Sequence, residues 1–218
     1  AKGKLNEERR PRIEVEITRL KRRLDEVVAI DFFGAAGREA AGGLVSGIEA
    51  RLHGSKNSRA TAEGGTRIRE DLQSKTWVTR KGIHVDRMAT AWVVRRFIDP
   101  GARIKFVPAK GYIPLADEVR FDMFEAEFTH EADCCSMEVL LARTGLRDPG
   151  LVRIAEIVHD IDLKDAKFQR EETSGIARLI DGIAMSQKDD DARLTRASAL
   201  FDDLYENFRR KLRNCALE

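Results

Sequence analysis

The sequence predicts an α+β protein, predominantly helical, with a small sheet of about three short strands packed by helices and an N-terminal helical segment ahead of it. Three observations predict this class. Apolar residues recur three or four apart over most of the chain, the period of an amphipathic helix. Three short runs carry the composition and alternation of strands. Charged residues reach 35% against an aromatic share of 6%, the mix of a soluble chain rich in surface helix.

In chain order, Ile13, Ile17, Leu20, Leu24, Val27 and Val28 are spaced three or four apart among Arg and Glu, which predicts one long helix over residues 7 to 30. Leu44, Val45, Ile48 and Leu52 predict a second from about Ala40, after an interval broken by Gly34, Gly37, Gly42 and Gly43. The run Gly54 to Gly65 (GSKNSRATAEGG) is small and polar and has no large apolar residue to give to a core. The chain is therefore divided into an N-terminal helical segment (1–53), a linker (54–72) and a C-terminal domain (73–218). In that domain TWVTR, Thr76 to Arg80, reads as a strand, and GIHVD leads into a helix from Met88 to Ile98 that Asp99-Pro100-Gly101 stops. Arg103 to Val107 reads as a second strand and Glu125 to His130 (EAEFTH) as a third. Ser136 to Ala142, Leu151 to Leu163, Ile176 to Met185 and Arg193 to Leu212 have helical periodicity.

With 39 basic against 37 acidic side chains, the net charge of +2 excludes a uniformly basic nucleic-acid coat and an acidic tail protein. No run approaches the roughly 18 apolar residues of a membrane span, and the start, AKGKLNEERRPR, lacks the apolar core of a signal peptide. Three cysteines, two of them the adjacent Cys134 and Cys135, suit a reducing compartment, so the expected location is cytoplasmic with no membrane partner. The start at Ala1, without an initiator Met, suggests a piece of something longer. Locally the charge is uneven: residues 75 to 120 hold 10 basic and 4 acidic side chains, whereas 121 to 165 hold 4 and 11. Such halves either attract one another as two surfaces or form a cleft with an anion side and a cation side.

The blocks TWVTRKGIHVDRMATAWVVRRFIDPGARIKFV (76–107), FDMFEAEFTHEADCCSMEVLL (121–141) and GLRDPGLVRIAEIVHDIDLKD (145–165) lie in an order that resembles the C-terminal domain of the chromate-resistance family typified by ChrB. Residues 7–53, with AIDFFGA, are similar to the segment preceding that domain in longer members. The resemblance implies a bacterial cytosolic, chromate-responsive regulator of an efflux pump's expression. It also implies that DNA would be met only through a winged-helix-like region with no counterpart in this chain.

Chromate is a tetrahedral dianion, and holding one takes fixed cations, backbone N–H groups and some exclusion of water. Arg80, Arg87 and Arg95 are the candidate oxyanion residues. Asp86 reads as the N-cap of the helix that follows, Arg87 as its first residue, where a cation opposes the macrodipole, and Arg95 lies two turns further on. The plainer alternative pairs Arg87 with a carboxylate of the acidic segment. A second constellation, His130, Glu138, His159 and Asp162, has donor types suited to one transition-metal ion, Zn, Fe, Mn or Ni. On the helix from Leu151, the residues Val152, Ala155, His159 and Asp162 share a side. No HExxH or paired CxxC strengthens that reading, and its alternative is hydrogen-bonded packing for each His and a salt bridge for Asp162. His84 and Asp86 form an HxD pair, Cys134 and Cys135 read as structural, and Trp77 and Trp92 read as core.

The leading expectation is a chromate-responsive sensor that binds chromate or another small oxyanion, with or without a metal, and shifts its N-terminal helices. The second is a metal-dependent enzyme acting on a small anionic substrate. The third is a homodimerisation piece that pairs through residues 7–30 and 193–212.

Overall fold

A computed structural model describes residues 10–30, 41–42, 45, 48, 68–108, 111–123 and 126–215. Helix α1 spans Arg10–Ile30, within one turn of the expected range. Most of the helix expected from Ala40, and residues 54–67 of the linker, lie outside the described residues. Residues 68–71 form a single helical turn after which Leu72 is buried, and Arg69 donates to the Thr144 carbonyl.

Strand β1 is Thr76–Arg80, β2 is Arg103–Val107 and β3 is Glu118–Arg120. The sheet order is β2-β1-β3, all parallel, with Val78 opposite both Lys105 and Arg120. Central β1 buries Trp77, Val78 and Thr79 in a row, as a strand covered on both faces does. Edge strand β2 alternates, exposing Arg103 and Lys105 and turning Ile104 and Phe106 inward.

Among the described residues the third strand is the element misplaced from sequence. Of the described residues of EAEFTH, Phe128 alone is paired, through an isolated parallel bridge to Phe121, beside a turn in which Asp122 takes a left-handed φ of 44° and its N–H bonds to the Phe128 carbonyl. Pairing is supplied instead by Glu118–Arg120, three residues too short and too evenly half-buried to show alternation.

Parallel β1 and β2 need a crossover, provided by helix α2, Val85–Val93, which continues as a π-helical turn over Val94–Ile98. Helix α3 (Ser136–Thr144) ends at Gly145, whose left-handed φ of 67° closes it. Helix α4 (Pro149–Leu163) starts with Pro behind the N-cap Asp148, which accepts from Gly150 and Leu151 N–H. Gly150 fits a tight place: a Cβ would lie 3.0 Å from Asp148 Oδ1 and 3.1 Å from the Tyr205 ring, so one of them would have to shift. Helices α5 (Thr173–Ser186) and α6 (Asp190–Cys215) complete the packing. The apolar face of α6, Leu194, Ala197, Phe201, Tyr205 and Phe208, is buried in the same core as Trp77, Met88, Trp92, Leu140 and Ile154. Both tryptophans are therefore core residues, as expected. Among the described residues no helix is long and apolar enough to cross a membrane.

Glu118 ties β3 to β2. Its side chain, 3% exposed, accepts from Lys105 at 2.8 Å, the Leu115 N–H at 2.9 Å and the Tyr112 hydroxyl. Burial would raise this carboxyl, but those donors outweigh it and hold it at about 2, against 4.5 for a free glutamate. A carboxyl that ionises more readily when folded stabilises the fold above its unfolded pKa, and the contribution is lost as pH falls from about 4.5 toward 2. Glu118→Gln should thus lower the melting temperature at pH 7 and flatten its decline over that acid window. A melting series across pH 2–7 checks this, and parallel curves for variant and wild type would contradict it.

Candidate functional site

The site is assembled where four elements converge. β1 ends at Arg80, and Gly82, in the left-handed region at φ 73°, turns the chain so that His84 becomes the N-cap of α2. Asp86, expected from the sequence to be the N-cap, therefore lies within the first turn and does not cap its own helix. Its buried carboxylate instead accepts from Ser136 N–H (2.8 Å) and Met137 N–H (2.9 Å), capping α3 from fifty residues away. The HxD pair is accordingly split, with His84 pointing outward to Asp181 at 3.0 Å.

Asp122 is the junction that sequence reading missed. It follows β3, is buried, and accepts from Arg87 Nε at 3.1 Å and from the Ser136 hydroxyl at 3.1 Å. His130 Nδ1 faces its other side at 3.5 Å. Arg87 also donates to the carbonyls of Arg80, Lys81 and Gly82 at 3.2–3.4 Å. The pairing of Arg87 with the acidic segment, its plainer reading, is thus present. Arg80 is joined to Arg87 through its backbone. Arg95 sits in the π-helical turn, and among the described residues no hydrogen bond or ion pair links it to this junction.

The four expected metal ligands separate into two pairs. His130 Nε2 is 2.9 Å from Asp162 Oδ2 and 3.8 Å from Asp86 Oδ2. His159, fully buried, places Nδ1 2.6 Å from Glu138 and Nε2 3.2 Å from Asp165. His159 and Asp162 do share a side of α4, but Val152, expected with them, is exposed. Glu138 also accepts from Cys135 N–H at the start of α3. Asp160 holds the following loop through the N–H groups of Phe168 and Gln169.

Three carboxylates in so dry a place repel one another. Burial, then the charges of Asp122 and Asp162, push Asp86 up to about 7 despite His130 and the Met137 N–H. Burial alone would lower His130, but the Asp162 hydrogen bond and the Asp86 and Asp122 charges outweigh it and raise the imidazole to about 9. Both shifts express a cluster that favours added positive charge. The basic and acidic halves of the sequence do meet, at Asp122.

Cys134 is pushed up to about 11 by burial and by Glu138 and Asp133, and burial pushes Cys135 well above the ordinary thiol range. Thiolates are the reactive form, so neither thiol is activated. In a Cys215→Ser background, a disulfide reagent at pH 7 should label the native chain far more slowly than the denatured chain. Equal rates would contradict the buried placement of Cys135 and the half-buried placement of Cys134.

Comparison with known proteins bears on these elements. The family described as ChrB, C-terminal domain, matches residues 77–208. Protein ChrB of Cupriavidus metallidurans is 38% identical over 137 residues, 62% of this chain and 41% of that protein, so the chain spans about two-fifths of the length of this relative. No solved structure matches. Because the family match runs from within β1 into α6 and includes every residue of the Arg87–Asp122–His130 junction, the chain belongs to the ChrB family through its C-terminal domain.

Proposed function

We propose that this domain is the chromate-responsive sensing module of a ChrB-type regulator, and that the oxyanion is taken at Arg87, beside Arg80, in competition with Asp122. Membership in the ChrB family supports a role in a chromate-resistance system. The single observation that carries the reading is that Asp122 occupies an anion's place, its carboxylate held by the Arg87 guanidinium and the Ser136 hydroxyl. A tetrahedral dianion uses the same donors, and Arg suits it because its planar fork bonds two oxygens at once.

The consequence reaches α6. Arg87 braces the carbonyls of residues 80–82, and the next N–H groups, Gly82 and Ile83, bond to the Asp190 carboxylate at 2.8 and 3.0 Å, at the first turn of α6. An anion that draws Arg87 from Asp122 shifts the brace, and with it the start of the last helix. That differential contact is what a ligand needs in order to move an equilibrium.

Amide hydrogen exchange tests this reading. Chromate should change exchange at Gly82, Ile83 and the first turn of α6. Unchanged exchange there at saturating chromate would contradict it.

A further inference from the structure

A metal site other than the one legible in the sequence follows from the same cluster. We propose that Asp86, His130 and Asp162 bind one divalent transition-metal ion, with Asp122 orienting the imidazole from behind. One donor atom from each of the three lies within 4.8 Å of the others. The separations of 2.9 and 3.8 Å from His130 Nε2 to the two carboxylates leave room for an ion about 2.0–2.2 Å from each donor once it replaces the proton between His130 and Asp162.

Charge gives a second reason. Asp86, Asp122 and Asp162 put three carboxylates against two cations, the Arg87 guanidinium and the His130 imidazolium, and burying an uncompensated carboxylate is costly. A divalent ion closes that deficit. The third and independent reason is the imidazole itself. His130 is 4% exposed, and its Nδ1 has no hydrogen-bond partner though it lies 3.5 Å from Asp122 Oδ1. With Nε2 on a metal, the ring proton must sit on Nδ1 and face that carboxylate, the carboxylate–histidine–metal arrangement that fixes a ligand's tautomer.

The rest of the surroundings suit the role. Asp86 is held rigidly by two N–H groups of α3, while Asp162, with 26% of its side chain exposed, gives the ion a route in. Two carboxylates and one imidazole select Mn, Fe or Zn over a soft cation such as Cu(I). His159, Asp160 and Asp165 also bring donor atoms within 4.8 Å of one another, but both ring nitrogens of His159 already face carboxylates, and Asp160 and Asp165 accept from the N–H groups of their own loop. The proposal does not depend on chromate binding.

The test uses the full chain, made without a metal-binding tag, stripped with a chelator and titrated with Mn²⁺ and, separately, Co²⁺. Binding is read by loss of the free Mn²⁺ resonance signal and by Co²⁺ absorption. Wild type should take up about one equivalent. Asp162→Asn, part-exposed and expected to fold, and His130→Gln should each bind at least tenfold more weakly. Asp122→Asn should lose about 10–100-fold, as removal of an outer partner does. His159→Gln should bind as wild type does. Circular dichroism confirms that each variant is folded. Wild type without stoichiometric uptake, a folded Asp162→Asn that binds unchanged, or loss confined to His159→Gln would each overturn the site.

Discussion

Arg87→Ala is expected to bind chromate at least tenfold more weakly than wild type and to melt well below it. The two effects have different origins. Arg87 and Asp122 are 13% and 6% exposed at their side chains, so removing the guanidinium leaves a buried carboxylate without its partner, a change that costs about 3–5 kcal/mol. It also releases the carbonyls of residues 80–82, which the guanidinium braces. The double variant Arg87→Ala/Asp122→Ala removes the stranded charge and should recover most of the stability. It should not recover chromate affinity, because the cation is still missing. Thermal melts and equilibrium dialysis on both variants separate the roles. Restored affinity in the double variant would show that Arg87 acts only as the partner of Asp122.

Trp92→Ala has an equally large expected effect on stability. The indole is 2% exposed, its ring centroid lies 5.4 Å from Phe201, 5.5 Å from Phe97 and 6.1 Å from Tyr205, and its N–H donates to Asp202 at 2.8 Å. It thus joins α2 to α6 by aromatic packing and one hydrogen bond. Truncating a buried Trp costs about 3–5 kcal/mol, or roughly 6–20 °C of melting temperature in a domain of this size. Asp202→Ala, which removes the half-exposed acceptor of the indole N–H and its ion pair with Arg96 but leaves the ring packed, should cost about 1–3 kcal/mol, less than the truncation. Scanning calorimetry on the two checks the ordering, and a loss for Asp202→Ala matching that of Trp92→Ala would assign the link to the polar contacts.

Local pattern carried most of the fold. β1 and β2 have the bounds that TWVTR and RIKFV predict, and α3 to α6 lie where apolar residues recur at helical spacing. β3 escaped because three residues are too few to show a period, while EAEFTH had the alternation but lies beyond the left-handed turn at Asp122. The site was legible as residue types and not as partners. His159 and Asp162 are one turn apart on α4, yet the fold gives the first to Glu138 and the second to His130, thirty-two residues upstream of it. Nothing in the sequence distinguishes Asp122 from the other acids of its segment; its role arises from a left-handed turn after β3 that faces it toward Arg87. Asp86 was visible, but as a cap for the wrong helix.

The chromate affinity of Asp122→Asn compared with wild type, by equilibrium dialysis, tests the central claim most directly. If Asp122 occupies the oxyanion's place on Arg87, removing its charge while keeping its shape should tighten chromate binding by about tenfold or more, equivalent to about 1.4 kcal/mol. Affinity that is unchanged or weaker in the folded variant would contradict the account.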